Sequence, residues 1–229
     1  MYPRNQTLPN ESYTHVFFRA HNRQFLFKKR QIKARLLYLW AKYKKKFGVK
    51  IYEFIIMDNH CHMKVKASCT MQLGNFMRVV NSQIARYINY ILERDSQAIR
   101  ERYKSPMIAD FSYGLKVMQY IWLNRFKVNN SNPINDPFNS IAWRQNPELV
   151  RYFSKNTEDE ELFRNLLDSD EDIYGKSAQK FTLDLLNAAL GEIQEFDKTV
   201  FENSHTIGNS DYVLMRKKTL SAFRRENIP

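Results

Sequence analysis

The sequence of 229 residues predicts an α+β fold, an antiparallel sheet with helices on one face, followed by a helical C-terminal extension. Three observations carry this. Over residues 13–126, β-rich runs alternate with amphipathic runs in the order strand, helix, strand, strand, helix, candidate strand, helix. A stretch holding Pro133, Pro137 and Pro147, three of the seven prolines, then interrupts the pattern. Beyond it, apolar residues return at helical spacing. The layout of the first part is ferredoxin- or RRM-like. The chain therefore divides into a domain at 1–130, a linker or wrapping loop at 131–147, and a helical extension or small second domain at 148–229.

Each element has its own signal. Residues 13–20 (YTHVFFRA) are β-branched and aromatic, and read as a first strand. Ile32, Leu36, Trp40, Tyr43 and Phe47 fall three and four apart and make one helical stripe over residues 30–47. Gly48 is suited to stop that helix. Residues 49–57 (VKIYEFIIM) and 62–66 read as two further strands. Leu73, Phe76, Val80, Ile84, Tyr87 and Ile91 mark a second amphipathic helix over residues 71–94. Residues 102–109 suit a short strand or an extended loop. Ser112 is expected to cap a third helix reaching about Phe126. In the extension, Phe181, Leu183, Leu185, Leu186, Leu190 and Ile193 form another stripe.

Composition bounds the function. A hydrophobic fraction of 43% with 14% aromatics supports a real core and excludes a mainly disordered chain. No run approaches the ~18 consecutive apolar residues of a membrane span, and no apolar signal region opens the sequence. Two cysteines, Cys61 and Cys69, are too few for a disulfide scaffold, so a cytoplasmic setting with reduced thiols is expected. The formal charge of +12 is unevenly spread: residues 1–150 carry +16 and residues 151–229 carry −4. A basic body attracts polyanions, nucleic acid first among them, although an ordinary basic surface fits the same count.

The most informative segment is Met57-Asp58-Asn59-His60-Cys61-His62-Met63-Lys64-Val65-Lys66. Side chains alternate across a strand, so His60, His62, Lys64 and Lys66 share one face and Cys61, Met63 and Val65 the other. Two imidazoles two residues apart on a strand can ligate one metal ion from the same side. Read alone, such a pair is more often two solvent-facing histidines on a polar strand face; only a third ligand or a nucleophile elsewhere changes that. Among the tyrosines near the third helix, Tyr103, Tyr113 and Tyr120, the last stands out. Lys116 lies four residues before Tyr120 and Asn124 four after, so all three share one helix face.

These residues carry a resemblance. His60-Cys61-His62 fits the His-hydrophobic-His signature of HUH nucleases, and its context resembles the Met-Pro-Asn-His-X-His segment of single-tyrosine insertion-sequence transposases. The resemblance is strongest to the REP-associated tyrosine transposases. Phe76-Met77-Arg78-Val79-Val80-Asn81-Ser82 resembles the helix that follows the histidine strand in this family. Arg102-Tyr103-Lys104-Ser105 is similar to its Arg-Tyr-Lys-Ser strand, and Tyr120-Ile121-Trp122-Leu123-Asn124 to its Tyr-Ile-His-Leu-Asn helix. Ile207-Gly208-Asn209-Ser210-Asp211-Tyr212-Val213 faintly resembles a C-terminal motif of the group. The matches run in order over about residues 13–130. The chain departs from the pattern in four places. Asp58 stands for the usual Pro, Trp122 for His and Arg125 for Pro, and Ile99-Arg100-Glu101 replaces Trp-Gln-Gly.

The resemblance implies a catalytic domain at residues 1–130, with Tyr120 as nucleophile and Asn124 as the third ligand to a metal held by His60 and His62. That ligand set suits a divalent ion, Mg²⁺ or Mn²⁺. The implied reaction cuts and rejoins single-stranded or hairpin DNA through a 5′-phosphotyrosine intermediate. Lys64 and Lys116 are candidates to bind flanking phosphates, or are solvated surface lysines. The first helix and Arg102, Tyr103 and Lys104 are candidates to hold the strand by charge and stacking. The family implies a prokaryotic, nucleoid-associated protein, monomeric or homodimeric. The competing expectations are a domesticated hairpin-binding protein that cuts little or not at all, and a metal-free interaction protein with incidental histidines.

Overall fold

The computed structural model describes residues 12–100, 102–169, 178–191 and 206–207. Its centre is a sheet ordered β2-β3-β1-β4-β5. β1 (Tyr13–Arg19) lies inside, antiparallel to β3 (His60–Ala67) on one side and to β4 (Met107–Ile108) on the other. β2 (Val49–Ile56) is the outer neighbour of β3, also antiparallel. β5 (Thr206–Ile207) adds to β4 in parallel. The remainder of the faint C-terminal motif, residues 208–213, lies outside the described residues, as does Ile193.

Helices α1 (Arg30–Lys44) and α2 (Thr70–Ile91) cover one face. Ile32, Leu36, Leu37, Leu39 and Trp40 of α1, and Leu73, Phe76, Val80, Ile84 and Ile88 of α2, pack on Val16, Phe18, Ile51, Phe54, Cys61, Met63 and Val65. The helical stripes thus find an apolar sheet face, the arrangement that buries both. α1 ends at Lys44, with turns carrying the chain to Gly48 at φ +57. Gly48 sits in the left-handed region that favours glycine, and a Cβ there would also have to displace the Ser68 hydroxyl, 2.7 Å away.

The other face carries α3 (Phe111–Leu123), whose Val117, Met118, Tyr120, Ile121 and Trp122 form a second cluster with Ile55, Met57 and Ile141. The cap of α3 is Asp110, not Ser112. Asp110 has extended backbone angles and accepts from Tyr113 N at 3.1 Å, whereas Ser112 lies inside the first turn and donates to Asp110 Oδ1. α3 is followed by the short α4 (Phe126–Asn129).

Residues 131–147 wrap around the outer edge of β2, with Ile141 in this second cluster and Phe138, Ala142 and Trp143 in the first. They hold α5 (Ser140–Gln145), with Phe138, Ile141, Ala142 and Trp143 buried, and Phe138 O accepts from Ile56 N at 2.9 Å. α6 (Leu149–Phe153), α7 (Thr157–Arg164) and α8 (Ala178–Gly191) complete the helices described. Lys44 ties residues 165–168 to the body through Asn165 O, Leu166 O and the Asp168 carboxylate. Among the described residues, no helix is long and apolar enough to cross a membrane.

Candidate active site

β3 begins at His60, two residues earlier than its sequence suggests, because Met57 N donates to His60 O at 2.8 Å and closes a tight turn from β2. The register then sets who faces whom: Arg19 opposite His60, Phe17 opposite His62, His15 opposite Lys64. Directly opposed residues share a sheet face, so His15, Phe17, His60, His62 and Lys64 all lie beneath or beside α3.

The rings of His60 and His62 are 4.9 Å apart, centroid to centroid, and perpendicular. His60 is half-buried, and its Nδ1 is 2.6 Å from Asn59 Oδ1, an atom that only accepts; Nδ1 therefore carries the proton in that bond. His62 is fully buried, with Nδ1 3.0 Å from His15 Nε2. From α3, the Tyr120 ring meets His62 edge-on at 5.3 Å and His15 at 5.8 Å. Lys127 Nζ lies 5.9 Å from the Tyr120 ring centre. Asn124, half-buried, follows the last residue of α3 and keeps helical angles (φ −58, ψ −42), so it stands one turn beyond Tyr120 on the same face.

The donor chemistry fits a divalent ion. Ligating histidines characteristically have their second nitrogen engaged by another group, and here Asn59 and His15 engage Nδ1 of the two rings. Among the described residues, no group of three or more His, Cys, Asp and Glu side chains could hold a metal. A site here would therefore rest on the two imidazoles, an amide and solvent or phosphate oxygens. Cys61 is excluded as a ligand: it faces the opposite core, and burial pushes its thiol well above the ordinary range.

The remaining predicted residues are scattered. Lys64 is only 1% exposed, enclosed under α3 with Nζ 3.7 Å from Met118 Sδ and 4.8 Å from the Tyr13 ring centre. Lys116 is exposed on α3 with Nζ 4.9 Å from the Tyr113 ring centre. Arg102 is exposed and Tyr103 packs half-buried against the larger core. Lys104 pairs by backbone with Phe17 and sets its exposed ammonium 5.8 Å from that ring, on the histidine side of the sheet.

The departures from the family pattern have partners. Asp58 is bound by Lys33 at 2.6 Å and by Arg125 at 3.6 Å, and Arg125 also holds Asp136 at 2.6 Å and donates to Ile56 O at 3.0 Å. Two substituted positions, Asp58 and Arg125, thus clasp the turn before the histidines to the end of the tyrosine helix. Burial alone would raise the Asp58 carboxyl; the Lys33 hydrogen bond and the charges of Lys33 and Arg125 outweigh it and hold the group below its ordinary value. Burial also pushes the Lys33 ammonium down, with Asp58 pulling it back only in part. Trp122 is fully buried and donates from Nε1 to Glu53 Oε2 at 2.7 Å. Glu53 in turn binds Ser140 and Arg144.

His15, Glu53 and Lys127 were not singled out from sequence. The one available signal was an imidazole inside a strand rich in β-branched and aromatic residues, YTHVFFR.

A solved REP-associated tyrosine transposase bound to a REP hairpin aligns over 67% of this chain and 88% of its own, at 14% identity and a TM-score of 0.48. No curated protein sequence matches the chain. The sequence profile of the family described as "Transposase IS200 like" matches residues 10–124, about half of the chain, from before β1 through Asn124. By that match, the chain belongs to the IS200-like transposase family.

Proposed function

We propose that this protein is a metal-dependent nuclease and strand transferase acting on single-stranded DNA that contains a hairpin. What supports the reading, beyond family membership, is one contact: the Tyr120 ring against the His62 ring at 5.3 Å, with His60 4.9 Å further along the same strand face. Residues 58 positions apart meet where the reaction needs a nucleophile beside a metal ligand.

Tyr120 serves as the nucleophile. A phenol titrates near pH ~10, so its hydroxyl must shed a proton to react at neutral pH. The phenolate oxygen forms a bond to the scissile phosphorus, the bond from phosphorus to the 3′ oxygen breaks, and that oxygen leaves as a 3′-hydroxyl after taking a proton. The DNA 5′-phosphate stays esterified to Tyr120. Because the bond energy is retained, a 3′-hydroxyl of another strand reverses the step and rejoins DNA without ATP. His60, His62 and Asn124 would hold Mg²⁺ or Mn²⁺, which supplies charge stabilisation at the phosphate and the leaving oxygen. Lys104 and Lys116 bind flanking phosphates, with the exposed Arg102 near Lys104; Tyr103 packs against the opposite core and takes no part in stacking. A phosphate contact from Lys64 would require α3 to lift, since the helix covers its ammonium.

The test is a cleavage assay on 5′- and 3′-labelled hairpin DNA with Mn²⁺. Wild type is expected to form a covalent protein–DNA adduct and Tyr120→Phe none; an adduct that survives the substitution overturns the assignment. A second reading, hairpin binding with little or no cutting, is favoured by the 4% exposure of Tyr120, which leaves the phenol little room to meet a phosphodiester. Tight binding with no adduct from wild type selects it.

A further inference from the structure

We infer that His15 is a positioning residue for the metal site, accepting the Nδ1 proton of His62 and thereby placing the His62 lone pair on Nε2. The inference rests on the metal-dependent reading above. His15 is fully buried at the centre of β1, 47 residues from His62 in sequence and diagonal to it across the ladder. Its ring centre lies 5.1 Å from that of His62 with 17° between planes, the two rings meeting edge to edge, while Phe17 and Tyr120 close in at 5.4 and 5.8 Å. An imidazole enclosed this way loses its water and is tolerated only with a bond in return.

The parallel with His60 gives the bond its direction. Asn59 Oδ1 takes the His60 Nδ1 proton and thereby fixes that ring with its lone pair on Nε2. The same tautomer in His62 needs an acceptor at Nδ1, and the atom there is His15 Nε2, at 3.0 Å. His15 then carries its own proton on Nδ1. Two strand residues present their rings in matching states, one oriented by its sequence neighbour and the other by a different strand. Such outer partners set ring orientation and ligand basicity, and losing one costs about 10–100-fold in metal affinity.

The experiment is a Mn²⁺ titration of the full chain followed by electron paramagnetic resonance. His15→Phe keeps an aromatic ring but removes the acceptor, and is expected to weaken Mn²⁺ binding by about 10–100-fold. His15→Gln, whose Oε1 can stand in for Nε2, is expected to stay within about threefold of wild type because it restores the hydrogen bond. Unchanged binding by the Phe variant, with loss in His60→Ala and His62→Ala, overturns the role of His15 while the metal reading stands. Unchanged binding in all three overturns both. ¹⁵N-histidine spectra of the unmodified protein test the tautomer without any substitution: a proton on Nδ1 of His62 is expected, and one on Nε2 overturns the inference.

Discussion

Cys61, Met63 and Val65 leave β3 on one side; His60, His62 and Lys64 leave it on the other. The two faces of this single strand are buried almost equally, His60 and Lys66 excepted, yet by different means. The first face meets the apolar stripes of α1 and α2, where each side chain contributes by area removed from water, about 25 cal/mol per Å². Such contacts are numerous, non-directional and partly interchangeable. The second face encloses His15, Glu53, His62 and Lys64 under α3 and α5. There each group needs a named partner: Glu53 accepts from Trp122, Ser140 and Arg144, and His62 shares a bond with His15. The difference teaches that period-2 alternation lets one strand hold the fold with one set of residues and a chemical site with the other. Stability on the apolar side depends on shape. On the polar side it depends on bonds, and those bonds also orient the side chains proposed to react.

That contrast can be broken in several places. The largest effect expected is on withdrawing the metal. Chelation with EDTA should lower adduct formation by about 10³-fold, the equivalent of several kcal/mol of transition-state stabilisation, while thermal melting stays within about 2 °C. A large fall in melting temperature on chelation would mean that the polar face holds the fold through the ion. Next is a matched pair of substitutions followed by urea unfolding. Glu53→Leu strands three donors and should cost about 3–5 kcal/mol, whereas the volume-conserving Met63→Leu on the opposite face should cost less than about 1.5 kcal/mol. Equal costs would erase the distinction between bonds and shape. The smallest effect is at the rim: Lys104→Ala should weaken hairpin binding severalfold for every sequence alike and reduce the salt slope by about one counterion, leaving stability unchanged. A sequence-dependent loss would instead place Lys104 against a base.

Much of the scaffold was legible before the structure. The stripe of Ile32, Leu36 and Trp40 and that of Leu73, Phe76, Val80 and Ile84 do bury themselves on one sheet face, because 3.6-residue periodicity is a local property of the helix. The division of β3 into two faces was equally local. The helix cap was harder: Asp110 and Ser112 are both good capping residues, and the choice fell to the one whose backbone stays extended and whose carboxylate reaches Tyr113 N. Nothing in the local sequence connects the departures Asp58, Trp122 and Arg125 to any partner. They read differently once Lys33, Glu53 and Asp136 are seen to bind them. Lys64 shows the limit of alternation, which tells which face a side chain takes but not what lies over it.

By itself the sequence determined the types of the elements up to the tyrosine helix that carry a clear periodicity, the pairing of His60 with His62 on one side of a strand, the shared helix face of Tyr120 and Asn124, and a family resemblance that the profile match bears out. All of these depend on spacings of two to four residues, which backbone geometry converts directly into direction. Only the tertiary structure decided that His15 lies 3.0 Å from His62, that Tyr120 comes to 5.3 Å from the same ring, that Lys64 is sealed beneath α3, and that Arg125 reaches Asp58. These contacts join residues tens of positions apart. They are set by strand register and by the angle at which α3 crosses the sheet, and those emerge from packing the whole core at once rather than from any local pattern.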